Sequence, residues 1–269
     1  MRANPEFIVL EAPGTNCGDE TLQALSLAGA NQRRAHIGDV KSGAVDLRSA
    51  QGLIIPGGFS YGDIIRAGAI FANDLRDPRV AEQVNEHAAA GKPIIGTCNG
   101  LQVLVEAGLL PYGQIDDITG HEFTLDGNEN TKFECRWTKV RIEEDTVCQF
   151  ISEEDRGAVI ELPVAHAEGR FLAKNQSDYG RLIKSGQVVL RYCDNLGEPS
   201  ESYPVNPNGS YYGITGICSP NGITFGMMPH DERFSRPEHH PNWRRPEVVI
   251  PDNFSAKILR GAVNYTKQM

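Results

Sequence analysis

The chain has 269 residues, of which 40% are hydrophobic and 23% charged, and its formal net charge at pH 7 is -9. This composition is typical of a folded globular protein, and the length favours one large α/β domain over two separate ones. Binding to nucleic acid or to an anionic membrane requires an excess of Lys and Arg, so the acidic balance disfavours both. A small molecule or another protein is the expected partner.

The sequence predicts a cytoplasmic protein with reduced cysteines. The N-terminal residues lack the apolar core of a secretory signal, and no apolar run is long enough to cross a bilayer. The six cysteines are widely spaced and contain no C-x-x-C pair, which disfavours a zinc ribbon and a disulfide framework. We therefore expect free thiols, one of which is a candidate nucleophile.

Short apolar runs alternate with amphipathic stretches in the first hundred residues. Residues 7–10 form an aliphatic run before a helical stretch at 19–28, and the runs at 52–55 and 93–96 end at Gly-rich turns. Buried strands separated by helices indicate right-handed βαβ crossovers and a parallel sheet. Ligands of such a sheet collect at the carboxyl ends of the strands.

The pattern changes in the second half of the chain. Residues 132–143 alternate polar and apolar side chains, and 188–192 and 223–227 are further candidate strands, so we expect antiparallel additions to the sheet. Residues 195–210 are rich in Pro, Asn, Gly and Ser and predict a long loop. A last amphipathic helix is expected over about residues 255–265.

The pentapeptide Gly-Thr-Cys-Asn-Gly at 96–100 lies between a predicted strand and an apolar helical run. A sharp strand-to-helix turn strains its central residue and requires small neighbours, which Gly96 and Gly100 supply. The helix N-terminus favours the thiolate of Cys98 and directs N–H groups, including that of Asn99, at an oxyanion. These features predict a nucleophile elbow, although a buried, inert Cys98 is the plainer alternative.

A second oxyanion donor is predicted in the turn at 56–63, Pro-Gly-Gly-Phe-Ser-Tyr-Gly-Asp, which follows another candidate strand. Glycine lets the backbone approach a ligand closely, whereas the alternative is an ordinary turn. Two Gly-rich strand ends in one parallel sheet favour the functional interpretation.

A cysteine nucleophile usually requires a base, and His230 has the best context among the seven histidines. It follows a candidate strand, and Glu232 can accept a hydrogen bond from one ring nitrogen while the other faces the sulfur. Asp231 is the rival carboxylate, although in an extended segment its side chain points to the opposite side. His166 is the runner-up base, or it lines the substrate pocket.

No metal site is predicted. The Glu-His-His run at 238–240 has no matching ligands at zinc-like spacing, so a solvated tail is the preferred interpretation. Arg244 and Arg245, beside Trp243, are interpreted as a surface or interface cluster and not as a nucleic-acid site.

Together these segments resemble the glutaminase subunits of phosphoribosylformylglycinamidine synthase, a family of class I glutamine amidotransferases. The cysteine elbow is shared by the whole class, whereas residues 57–63, 133–137 and 206–210 are similar to this family in particular. The resemblance implies a glutamine amidotransferase domain at 6–233, followed by a C-terminal extension at 234–269 whose terminal helix packs on the same domain.

The resemblance also implies a three-layer, flavodoxin-like α/β fold with a mixed, mainly parallel central sheet, and it assigns roles to individual residues. The implied catalytic residues are Cys98 as nucleophile, His230 as base and Glu232 as the residue that orients the base. The implied oxyanion donors are the backbone N–H groups of Gly58 and Asn99, and the residues implied to hold glutamine are Gln102 and the segment that contains His166.

The implied reaction is hydrolysis of L-glutamine to glutamate and ammonia through a cysteinyl thioester. Ammonia would pass to a synthetase subunit that converts formylglycinamide ribonucleotide to the amidine in purine biosynthesis, within a complex that also contains a small accessory subunit. ATP and Mg²⁺ are expected in the synthetase and no cofactor in this chain, which lacks a Gly-x-x-x-x-Gly-Lys loop.

Two departures from the family pattern bear on these expectations. Asp231 stands where the family often has Pro, and Ala167 stands where it usually has Gly. Two other functions remain open on the sequence alone: a non-catalytic regulatory or scaffolding subunit on the same fold, and a stand-alone cysteine hydrolase or isomerase.

Overall fold

A nine-stranded sheet forms the centre of the molecule, and a computed structural model describes residues 4–116, 122–245 and 256–269 of the chain. The strands in chain order are β1 (Glu6–Glu11), β2 (Asn31–His36), β3 (Gly52–Ile55), β4 (Ile94–Thr97), β5 (Phe123–Asp126), β6 (Glu134–Ile142), β7 (Val159–His166), β8 (Arg170–Ala173), β9 (Val188–Tyr192), β10 (Ile214–Cys218) and β11 (Thr224–Met227). The helices are α1 (Gly18–Leu27), α2 (Ile37–Ser42), α3 (Ala69–Leu75), α4 (Pro78–Ala89), α5 (Asn99–Glu106), α6 (Gln176–Lys184) and α7 (Lys257–Gln268).

The strand order of the large sheet is β2-β1-β3-β4-β11-β10-β9-β6-β7, and β5 pairs with β8 in a separate two-stranded sheet. The pairs from β2 through β11 are parallel and those from β11 through β7 are antiparallel, so all strands of the large sheet except β6 and β10 point the same way. The predicted mixed, mainly parallel sheet is confirmed.

Helices cover both faces of this sheet, which gives the three-layer α/β fold predicted from the sequence. Alternate residues of β1 enter two different cores, because successive side chains of a strand point to opposite faces. Phe7 and Val9 pack with residues of α1 and α7, while Ile8 and Leu10 pack with residues of α2 to α5. β1, β3 and β4 are therefore buried on both faces, and they appear in the sequence as continuous apolar runs.

Most elements of the sequence prediction are present, with one exception in the pairing. β6 and β9 are antiparallel additions as expected, and β7 and β10 are further antiparallel strands that the sequence analysis did not identify. β11 was expected as another antiparallel addition, but it also pairs in parallel with β4, in the middle of the sheet. Residues 195–210 contain no helix or strand, in agreement with the predicted loop. The predicted last helix is α7, although residue 255 of the predicted range lies outside the described residues.

All six cysteines are free thiols in this structure. Within the ranges that the structure describes, none of the helices combines the length and the apolar character needed to cross a membrane.

Candidate active site

Three neighbouring parallel strands, β3, β4 and β11, carry the candidate catalytic segments at their carboxyl ends. The register places Thr97 of β4 opposite Met227 of β11, so Cys98 and the segment at His230 emerge at the same edge of the sheet. The Gly-Gly turn after β3 lies at this edge too, because β3 is the other neighbour of β4. Ordinary parallel pairing thus brings together residues that are far apart in the sequence.

Cys98 occupies the sharp turn between β4 and α5. Its backbone has φ 52° and ψ -107°, a conformation that is strained for any residue with a side chain. The turn is held by a hydrogen bond of 2.7 Å from the Cys98 N–H to the Met227 carbonyl oxygen. The sulfur therefore stands at the N-terminus of α5, where the helix dipole favours the thiolate.

The glycines on either side of Cys98 are required by close packing of backbone. A Cβ on Gly96 would lie 2.5 Å from the carbonyl oxygen of Gly100, and a Cβ on Gly100 would overlap the carbonyl oxygen of Ile55 in β3. α5 can therefore begin directly over the sheet only when both positions lack a side chain.

His230 and Glu232 form a buried pair, each only 1% exposed, beside Cys98. Nδ1 of His230 lies 2.6 Å from Oε1 of Glu232, and among the described residues Nε2 has no hydrogen-bond partner. A Cβ placed on Gly57 would stand 2.8 Å from Cε1 of His230 and 3.4 Å from Cβ of Cys98, so imidazole and cysteine surround the same point. The structure brings together the three side chains that the sequence analysis named as catalytic.

The electrostatic environment of His230 favours its protonated form. Burial lowers the pKa of this imidazole, but the negative charges of Glu232 and Cys98 outweigh burial and raise the pKa well above its usual range. An imidazolium beside a cysteine stabilises the thiolate, which is the nucleophilic form.

His166, the runner-up base, has a different environment. Its Nδ1 lies 3.1 Å from the side-chain oxygen of Asn128, and no carboxylate is paired with it among the described residues. Burial and the positive charge of His230 lower the pKa of His166 to about 3, so this ring is neutral. The neighbouring Ala165 carbonyl oxygen lies 3.6 Å from Sγ of Cys98, which places this segment along the wall of the site.

The two predicted oxyanion donors lie on connected elements. Gly58 has φ 149°, and a Cβ there would lie 2.7 Å from the backbone nitrogen of Asn16. The side-chain oxygen of Asn99 accepts a hydrogen bond of 3.2 Å from the Ser60 N–H, and its amide nitrogen donates one of 3.0 Å to Gln102. Asn99 therefore joins the turn after β3 to the first turn of α5.

Asp231, the rival carboxylate, points away from His230. It is fully buried, and its Oδ2 accepts hydrogen bonds of 3.0 Å from the N–H groups of Ile258 and Leu259 at the start of α7. This position, where the family often has Pro, therefore binds the terminal helix to the catalytic segment.

The tail histidine His240 is a structural residue in this arrangement. Its Nε2 lies 2.8 Å from Glu161, and its ring lies against Trp137 with centroids 4.9 Å apart. In the described part of the chain the metal-ligating side chains close enough to share an ion are instead Cys17, His230 and Glu232, within the candidate active site.

Cys17 is the residue at this site that sequence reasoning missed. It is buried at the start of α1, and its sulfur accepts a hydrogen bond of 3.0 Å from the Arg233 guanidinium. The same sulfur lies 3.1 Å from the point where a Cβ on Gly57 would stand. The available indication was its position just after β1, another parallel strand whose carboxyl end lies at this edge.

Comparison with known proteins assigns this fold and site to a family. The model of the CobB/CobQ-like glutamine amidotransferase domain matches residues 4–266. The phosphoribosylformylglycinamidine synthase subunit PurQ of Dehalococcoides mccartyi is 37% identical over 262 residues, which cover 97% of this chain and 98% of that protein. The PurQ subunit of Treponema denticola is 41% identical over 240 residues, which cover 85% of this chain and 87% of that protein. The chain belongs to the PurQ family of glutamine amidotransferases.

A solved structure agrees with this assignment of the PurQ-family chain. The matching chain in the structure of PurLQS from Thermotoga maritima is 28% identical and superposes with a TM-score of 0.70, covering 97% of this chain and 99% of that one. The resemblance noted in the sequence is therefore confirmed at the level of family and fold.

Proposed function

We propose that this chain hydrolyses L-glutamine to glutamate and ammonia through a γ-glutamyl thioester on Cys98. The ammonia is delivered to a synthetase subunit that converts formylglycinamide ribonucleotide to formylglycinamidine ribonucleotide in purine biosynthesis. The single observation that carries the proposal is the placement of Cys98, His230 and Glu232 at adjacent strand ends in a PurQ-family fold.

The first half-reaction forms the thioester. The Cys98 thiolate attacks the side-chain amide carbon of glutamine, a carbon–sulfur bond forms, and the negative charge moves to the amide oxygen. The N–H groups of Gly58 and Asn99 donate hydrogen bonds to this oxyanion. The carbon–nitrogen bond then breaks as the His230 imidazolium gives its proton to the departing ammonia.

The second half-reaction restores the enzyme. Neutral His230 takes a proton from water, the resulting hydroxide attacks the thioester carbon, and the carbon–sulfur bond breaks to release glutamate and the Cys98 thiolate. Glu232 holds Nδ1 of His230 throughout, which keeps the other ring nitrogen directed at the reacting atoms. Gln102 and the segment of His166 line the glutamine pocket.

The proposed assembly contains the synthetase subunit, which uses ATP and Mg²⁺, and a small accessory subunit. The PurQ relatives carry the name of a phosphoribosylformylglycinamidine synthase subunit, and the matched structure is that of PurLQS. We place this assembly in the cytoplasm and assign no cofactor to the present chain.

Residues 6–233 are proposed to form the glutamine amidotransferase domain and residues 234–269 an extension of the same domain. Ile258 and Leu259 of α7 are buried in the core cluster that also contains Phe7 and Val9 of β1, which supports placing the extension in the same domain. The proposed role of the extension is to hold the catalytic segment through Asp231.

Substitution of the nucleophile tests the proposal in the assembled synthase. Cys98→Ala should lower glutamate release by at least about 10³-fold, because no other group can form the thioester. Cys135→Ala, which removes an exposed thiol that the proposed reaction does not use, is the matched control and should retain full activity. Mass spectrometry of the wild type with glutamine should find a γ-glutamyl adduct on Cys98.

The same assay separates the two alternative functions. Undiminished glutamate release by Cys98→Ala would exclude the proposed chemistry, and absence of release by the wild type in the complex would favour a non-catalytic subunit. Release by the isolated chain that does not increase when the synthetase is added would favour a stand-alone hydrolase.

A further inference from the structure

Cys17, His230 and Glu232 form a cluster of metal-ligating side chains that the proposed reaction uses only in part. Each residue offers one ligand atom, these atoms all lie within 4.8 Å of one another, and all three residues are buried. His230 and Glu232 take part in the glutaminase chemistry, whereas Cys17 has no step in it. The cluster therefore contains a sulfur that the proposed reaction does not explain.

Two buried atoms of this cluster lack a hydrogen-bond partner in residues 4–116, 122–245 and 256–269. They are Nε2 of His230 and Oε2 of Glu232. Nε2 faces the reacting atoms in the proposed mechanism, but Oε2 has no function there. Unpaired polar atoms are uncommon inside proteins, and a bound ion is one of the ways in which they are satisfied. Both atoms carry an electron pair that can bind a metal.

Cys17 is held at the cluster by its backbone and by its side chain. Its N–H donates a hydrogen bond of 3.1 Å to the Gly57 carbonyl oxygen, and its sulfur accepts one of 3.0 Å from the Arg233 guanidinium. A guanidinium beside a sulfur stabilises the thiolate, which is the form of cysteine that binds metal. Arg233 is also paired with Glu20 at 3.6 Å, so its positive charge is shared with a carboxylate outside the cluster.

The space beside Gly57 suits a small cation. A Cβ on this glycine would lie 3.1 Å from Sγ of Cys17 and 2.8 Å from Cε1 of His230. In a tetrahedral zinc site the bonds are about 2.3 Å to sulfur and about 2.0 Å to nitrogen, so these two ligand atoms lie roughly 3.5 Å apart. The ligand atoms of the cluster would have to approach each other by about 1 Å, which rotation of side chains can supply.

The chemistry of the three side chains selects a particular class of ion. One thiolate and one carboxylate together balance the charge of a divalent cation, and the imidazole adds a neutral ligand. Sulfur and nitrogen ligands favour Zn²⁺ and similar ions, whereas Mg²⁺ prefers sites made of oxygen atoms. Three protein ligands leave the fourth position of a tetrahedral ion open to water.

We propose that Cys17, His230 and Glu232 bind a thiophilic divalent cation, with Zn²⁺ as the expected ion, and that the bound ion inhibits the enzyme. The ion occupies the base and the carboxylate that orients it, so His230 can no longer transfer protons. Binding of the ion stands on the cluster alone, whereas its inhibitory effect rests on the proposed glutaminase function. Cys17 is then the residue that makes the site sensitive to metal.

Titration of the purified full chain with Co²⁺ tests binding without any measurement of activity. Co²⁺ occupies zinc sites, and its bond to a thiolate gives a charge-transfer absorption band in the near ultraviolet. The wild type should develop this band at an equimolar amount of Co²⁺ and lose it when Zn²⁺ is added, whereas Mg²⁺ should have no effect. Cys17→Ser should lack the band and should bind Zn²⁺ at least about tenfold more weakly, because a direct ligand is removed.

Cys135→Ser is the matched control, since it removes an exposed thiol outside the cluster, and it should keep the wild-type band. Urea unfolding shows whether Cys17→Ser is folded. If it is not, His230→Ala keeps the sulfur and should also bind Zn²⁺ at least about tenfold more weakly. Absence of the band in the wild type, or Zn²⁺ affinity that neither variant lowers, would overturn the proposed site.

The inhibitory effect is measured as glutamate release by the assembled synthase. Zn²⁺ should inhibit the wild type, a chelator should reverse the inhibition, and Cys17→Ser should need at least about tenfold more Zn²⁺ for half of its own uninhibited rate to be lost. Equal sensitivity of the two proteins would refute the proposed inhibition. Failure of the glutaminase function is recognised separately, because Cys98→Ala would then release glutamate like the wild type while the Co²⁺ band remained.

Discussion

In the buried pair His230–Glu232, the carboxylate stabilises the positive charge of an imidazole that burial alone would keep neutral. Burial disfavours the imidazolium, yet the adjacent carboxylate at 2.6 Å and the nearby sulfur raise the pKa of His230. The imidazolium depends on Glu232, and the Cys98 thiolate depends on the imidazolium. Removing the charge of Glu232 should therefore weaken the nucleophile without removing any atom that touches it.

We predict that Glu232→Gln lowers glutamate release by about 10²-fold or more while the protein stays folded. The pKa of His230 should fall, so the thiolate of Cys98 should form only at higher pH. Alkylation of Cys98 by iodoacetamide, followed as a function of pH, should show a higher midpoint in the variant. Glu161→Gln, which removes the carboxylate of the remote pair with His240, is the control. Identical alkylation profiles of the two variants would contradict this account.

At the scale of elements, the turn after β3 leaves a space that is lined by side chains from the segments after β1, β4 and β11. Gly57 lies among His230, Cys98 and Cys17, and a Cβ there would come within 2.8 Å of Cε1 of His230 and 3.1 Å of Sγ of Cys17. The absence of this one methyl group allows the imidazole and both sulfurs to approach each other.

Gly57→Ala should therefore displace His230 and reduce kcat/KM by about 10²-fold, the effect expected of a misplacement near 1 Å. The loss of stability should be small by comparison, about 1–3 kcal/mol, as for other overpacked sites. Gly127→Ala is the control, because a Cβ there meets nothing within 4 Å. Glutamate release and urea unfolding measure the two effects, and full activity in Gly57→Ala would show that the space is not needed.

The sequence predicted those elements and residues that impose a recognisable pattern on their neighbours in the chain. The aliphatic runs identified β1, β3 and β4, and the glycines at 96 and 100 marked the elbow, because strand burial and the strained turn each impose a pattern on neighbouring residues. Cys17 could not be assigned in this way. Its environment depends on which strands are adjacent and on contacts between distant loops, and β11 was expected only as an antiparallel addition although it also pairs in parallel with β4.

At the scale of the whole molecule, the two ends of the chain meet behind the catalytic segment. α7 packs in the same core as α1 and β1, and the carboxylate of Asp231 accepts hydrogen bonds from the first N–H groups of α7. His230 and Glu232 flank Asp231 in sequence and point to the opposite side. The terminal helix and the catalytic pair are therefore held by one short segment, so a change at Asp231 acts on both.

Asp231→Ala should lower the free energy of unfolding by about 1–3 kcal/mol at about pH 5, because two buried N–H groups lose their acceptor. Asp231→Asn keeps a carbonyl oxygen and should be closer to the wild type. Urea unfolding should detect the difference as a lower midpoint with an unchanged slope. Equal midpoints for the Ala and Asn variants would contradict the role of this side chain as an acceptor.

The pH dependence of these variants gives a sharper test of the same contact. Burial raises the pKa of Asp231 from 3.8 to about 7 in the folded protein. Folding therefore takes up a proton between these two values, and the stability contributed by the protonated carboxyl is lost as the pH rises from about 4 to about 7. Asn cannot titrate, so the wild type should lose stability relative to Asp231→Asn across this interval. A constant difference between the two proteins would mean that Asp231 has the same pKa in the folded and unfolded states.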